Sequence, residues 1–140
     1  MEDVKQFTEG LRRLPWPLIL GLGGLALVHP LISVTGMDDT LGEAVTHLGV
    51  LAAISVIWIA VVGLSRVERP VLTLTAAAAA YGVIELAMGS VVGIFADDPS
   101  AGLNPALLGF ALIPVLLTNG IWGAVTGLIA LLVQRMRGTR

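Results

Sequence analysis

Glu85 is the lone charge in "YGVIELAMGS" (81–90) and in the long run of small and apolar residues around it. A carboxyl in such surroundings has two chemistries open to it. It can gain and lose a proton or hold a cation, or it can stay protonated and join helices as a hydrogen-bond donor. Tyr81 lies one helical turn earlier on the same face, and Ser55, Thr118 and Asn119 bring hydroxyl and amide groups from two other apolar runs. The chain has 2 histidines, His29 and His47, and a histidine pair on neighbouring helices can hold a b-type haem or a metal ion. Glu43 is the carboxylate close enough in sequence to join them.

The elements that must position these residues follow from composition. Of 140 residues, 56% are hydrophobic and 13% charged, too few polar groups to cover a soluble domain. With a mean hydropathy of +0.91, the chain belongs in a membrane. It has no cysteine, which excludes disulfides, thiolate metal sites and cysteine nucleophiles. Apolar runs at about 15–35, 44–65, 70–96 and 105–134 are each near or above the ~20 residues that cross a bilayer as a helix. The expected fold is therefore all-α, a polytopic bundle of four transmembrane helices. Residues 1–14 form a separate cytoplasmic segment in which Val4, Phe7, Leu11 and Leu14 recur at helical spacing, as in an amphipathic helix lying on the membrane.

Charge sets the orientation. Lys5, Arg12, Arg13, Arg66, Arg69, Arg135, Arg137 and Arg140 all fall on one side of this arrangement, which puts both termini in the cytoplasm of a cell-membrane protein. The other two loops carry only acids, Asp38, Asp39, Glu43, Asp97 and Asp98. Pro17, Pro70 and Pro105 stand at helix starts, the last behind the cap residue Asn104, whereas Pro30 and Pro114 lie inside spans and should kink them. The tripeptide Asn104-Pro105-Ala106 resembles the pore motif of aquaporins over these few residues, but Leu107 follows where that family's second motif has Arg. A helix cap accounts for it.

Counting ~1.5 Å per residue from the span middles, near Leu25, Ile54, Val83 and Asn119, puts Glu85 within a turn of the midplane. Ser55, Thr118 and Asn119 share that depth. A charged carboxylate there costs ~2.5–3.5 kcal/mol, and this count leaves no Lys, Arg or His at the midplane to pair with it. The expected state is the neutral acid, donating to Asn119, Ser55 or a carbonyl.

"IWIAVVGL" (57–64) and "IWGAVTGL" (121–128) match at six of eight positions, which suggests two related hairpins, 13–65 and 66–135, and equates Ser55 with Asn119. "GSVVG" (Gly89, Gly93) and "GAVTG" (Gly123, Gly127) are close-packing patterns that serve either the bundle or a subunit interface. The chain offers no nucleophile and base pair and no complete metal shell, so no enzyme activity, cofactor or nucleic-acid partner is expected. The first functional expectation is a packing or scaffold subunit of a membrane complex or homo-oligomer. The alternative is a small oligomeric proton- or ion-coupled transporter or channel using Glu85, and a minor alternative is haem or metal at His29 and His47.

Overall fold

The computed structural model describes residues 1–36, 40, 42–95 and 105–138, and all its regular elements are helical. They are α1 (Glu2–Arg12), α2 (Trp16–Gly23), a 3-10 segment (Gly24–Leu27), α3 (Val28–Thr35), α4 (Glu43–Leu64), α5 (Pro70–Phe95) and α6 (Pro105–Met136). Three stretches are long and apolar enough to cross a membrane: Ala44–Leu64, Pro70–Val91 and Leu108–Met136. Asp38, Asp39, Asp97, Asp98, Asn104 and Arg140 lie outside the described residues.

The first apolar run differs from the single kinked helix expected of it. α2, the 3-10 segment and α3 follow one another, and Glu2–Arg12 meets Trp16–Ile32 at 69°. Pro30 explains the tightened turn, because it has no N–H for the carbonyl of Ala26 and its ring presses on that carbonyl. α3 then ends at Gly36, whose φ of 70° only glycine adopts freely. α6, by contrast, runs unbroken through Pro114.

α5 is the hub, packed against α2, the 3-10 segment and α6, while α4 leans on α6. Small residues make these seams. A side chain at Gly123 would lie 2.5 Å from the Leu74 carbonyl oxygen and 2.6 Å from the Ala78 Cβ, and one at Gly127 would lie 2.6 Å from the Val71 Cα. The second close-packing pattern therefore joins α6 to α5 inside the chain. Gly89 faces open space, and Gly93 lies where side chains are not described. Gly23 brings α2 onto Ala77, Ala80 and Tyr81 in the same way.

The repeated segments of α4 and α6 run side by side, and Trp58 stacks on Trp122 with ring centroids 4.6 Å apart. Tyr81 sets its edge against both rings. The surroundings of the two tryptophans differ: the Trp58 indole donates to the Leu22 carbonyl at 3.1 Å, and the Trp122 indole to Ser55 Oγ at 2.9 Å. The Leu22 carbonyl already accepts a backbone N–H where α2 passes into the 3-10 segment, and the indole takes its second lone pair.

The basic end is tied together by side chains that sequence patterns did not single out. Gln134, buried on α6, donates through Nε2 to the carbonyls of Val62, Ser65 and Val67 at 3.0, 3.1 and 3.2 Å. Arg137 donates to the Leu64 carbonyl at 3.0 Å. Together they close the C-terminus of α4, where unpaired carbonyls gather partial negative charge.

Candidate functional site

Glu85 and Tyr81 project from α5 toward α3 and α4, and what meets them is imidazole. The Nδ1 atom of His29 lies 3.0 Å from the Tyr81 hydroxyl and 3.7 Å from Glu85 Oε1. Its Nε2 atom lies 2.9 Å from Nδ1 of His47, with the two ring centroids 4.7 Å apart. The expectation that no base reaches Glu85 is thus corrected. The depth count separated His29 from Glu85 by only ~3 Å along the bundle, and side-chain length covers such a difference. His47 closes its larger offset from the start of α4, at its second turn.

Beside this chain of groups is a cavity of about 260 Å³, lined by His47, Leu51, Tyr81, Glu85, Thr118, Asn119 and Trp122. Thr118 and Asn119 share the cavity with Glu85, while Ser55 stands behind Trp122, donating to the Leu51 carbonyl at 2.7 Å. Asn119 donates to the Val115 carbonyl at 2.9 Å, and Gly82 leaves the room its amide occupies: a side chain there would be 2.7 Å from Asn119 Nδ2. The nearest charged or hydrogen-bonding partner of Glu85 among the described residues is therefore His29, in place of Asn119 or Ser55.

Burial grades across the site. Tyr81 is 1% exposed, the His29 side chain 20% and the Glu85 side chain 41%, so the tyrosine is fixed and the carboxylate is reachable from outside the chain. Tyr81 and Trp122, packed against Trp58, form the aromatic wall of the cavity.

An imidazole donates from one nitrogen and accepts at the other, and two proton arrangements satisfy this chain equally. In one, Tyr81 donates to His29 Nδ1 and His29 Nε2 donates to His47 Nδ1. In the other, His47 Nδ1 donates to His29 Nε2 and His29 Nδ1 donates to the Tyr81 oxygen or the Glu85 carboxylate. Passing from the second to the first, His47 Nδ1–H protonates His29 Nε2 while His29 Nδ1–H protonates the Glu85 carboxylate. His47 takes up a proton at Nε2, so a proton is carried from His47 to Glu85 without moving either ring. The two facing nitrogens, at 2.9 Å, are closer than the ~4 Å that separates two ligand nitrogens across a metal. In this arrangement the histidines bond to each other instead of flanking an iron. No group of three or more metal-ligating side chains occurs among the described residues.

The chain matches no family model, no curated protein and no solved structure. Its own geometry is what bears on function.

Proposed function

We propose that this is a small polytopic membrane protein that passes protons through the Glu85, His29 and His47 chain, as a proton-coupled transporter or channel subunit working as an oligomer. The reading takes residues 16–35 as a fourth, bent span and both termini as cytoplasmic. It is supported by the clustering of Arg13, Arg66, Arg69 and Arg137 at one end of the bundle. One observation carries the functional part: a carboxyl and two imidazoles at 3.7 and 2.9 Å, beside a cavity among membrane-length helices. Ionisable groups within the depth of a bilayer are costly and mark ion or proton paths where they occur in connected sets. Four helices are few to enclose a pathway, so neighbouring subunits would complete its walls.

A second reading, a packing subunit of a membrane complex, draws on α6, where Leu117, Ile121, Val125, Leu128 and Leu132 form an exposed apolar stripe. Lipid or a partner helix would cover it equally well. Reconstitution in liposomes under a pH gradient separates the two. Wild type should collapse the gradient and Glu85→Gln should not. If wild type leaves the gradient intact while Glu85→Gln folds and assembles as wild type does, the packing reading stands.

A further inference from the structure

At the opposite end of the bundle from the histidines, a cavity of about 330 Å³ opens where the α1 to α2 bend meets the α4 to α5 loop. Its volume is at the lower end of the range of small-ligand pockets. Arg13, Arg66 and Arg69 line it, with Glu68 as the one acid. No guanidinium there has a carboxylate within ion-pair distance among the described residues, where the single ion pair is His29 with Glu85. Arg69 is exposed overall but lays its Nη1 against Gly10 of α1, 2.8 Å from where a Cβ on that glycine would be.

Thr73, also on the cavity wall, is fully buried, and its hydroxyl has no hydrogen-bond partner among the described residues. Thr8, Thr75 and Thr126 each donate to the carbonyl one turn earlier, at 2.6, 2.8 and 3.0 Å. Thr73 does not, although the Arg69 carbonyl one turn before it already accepts the Thr73 N–H at 2.9 Å. The first turn of α5 adds the N–H groups of Val71 and Leu72, which have no partner within the helix. Guanidiniums, hydroxyl and helix N-terminus are all donors of positive character, and they ask for an anion rich in acceptor oxygens.

We propose that this cavity binds a phosphate group, carried by an anionic phospholipid or free in solution. The fork of each arginine can take two phosphate oxygens, and Thr73 supplies the donor nearest the first turn of α5. The site is independent of the proton chain, and neither needs the other.

The test is thermal unfolding of the full chain in a neutral detergent, followed by tryptophan fluorescence, with three additives: dioleoylphosphatidylglycerol, dioleoylphosphatidylcholine and inorganic phosphate. A rise in midpoint with phosphatidylglycerol and not with phosphatidylcholine supports a lipid ligand. A rise with inorganic phosphate alone supports a soluble one. Arg66→Gln should weaken binding by roughly fivefold for the headgroup charge it no longer meets. Thr73→Val, which keeps the shape, should weaken it also while leaving unfolding without additive at or above the wild-type midpoint. Equal response to both lipids with no response to phosphate overturns the proposal, as does a full phosphatidylglycerol response retained by Arg66→Gln and Thr73→Val.

Discussion

His29 is the residue on which the candidate site turns, because it alone touches the tyrosine, the carboxylate and the second histidine. Replacing it by phenylalanine keeps a ring in place and removes both nitrogens, so His47 loses its connection to Glu85. We expect His29→Phe to slow collapse of a pH gradient in liposomes by roughly a hundredfold, the scale set by losing a positioned proton-transfer group. Tyr81→Phe removes one hydroxyl and leaves the 3.7 and 2.9 Å contacts of His29, so its loss of rate should be the smaller of the two. An equal loss in both would mean that the phenol is as necessary to the transfer as the imidazole. The sequence puts Glu85 level with Ser55, Thr118 and Asn119, one turn from Tyr81, and offers the histidines only as a separate pair. Depth along a helix is countable from the sequence. Which side chains face one another across helices is not.

At the scale of elements, the α5 and α6 seam depends on the absence of side chains at Gly123 and Gly127. A Gly123→Ala methyl would press on the backbone of α5, at the Leu74 carbonyl and Thr75 Cα, which cannot swing aside as a flexible side chain can. It should destabilise the fold by about 1–3 kcal/mol, measured by unfolding in mixed micelles. Gly89→Ala meets nothing within 4 Å and should be neutral or stabilising by up to about 1 kcal/mol, since alanine is the better helix former. The sequence showed both glycine patterns as equals, because a pattern states that an approach is allowed and not which neighbour makes it. Gln134→Leu belongs to the same scale. It takes a donor from the carbonyls of Val62, Ser65 and Val67 and should cost about 1–3 kcal/mol in the same assay. A lone glutamine near a helix end gives no periodic signal in the sequence.

For the whole molecule, the reading of four spans with both termini on one side is open to a direct check. The chain has no cysteine, so single substitutions report without background. Glu2→Cys and Gly138→Cys should react with an impermeant thiol reagent from the same side of sealed vesicles, and Thr40→Cys from the other. Labelling of Glu2→Cys and Thr40→Cys from one side would mean that residues 16–35 re-enter the membrane instead of crossing it, the other course open to a segment bent by 69° from α1.

The sequence by itself determined the class of protein and most helix limits. Hydropathy requires helices because a bilayer core offers no water to unpaired backbone groups. Prolines and polar loops set the ends, with α5 starting at Pro70 and α6 at Pro105 as expected. Only the tertiary structure decided that the first run is broken ahead of Pro30, that "GAVTG" is spent on α5, and that His29 stands between Glu85 and His47. The reason is common to all three. Along one chain, composition and periodicity report how each residue meets its solvent, whereas a site is made where the faces of different helices meet, and that depends on rotations and crossings fixed by the packing of the whole bundle.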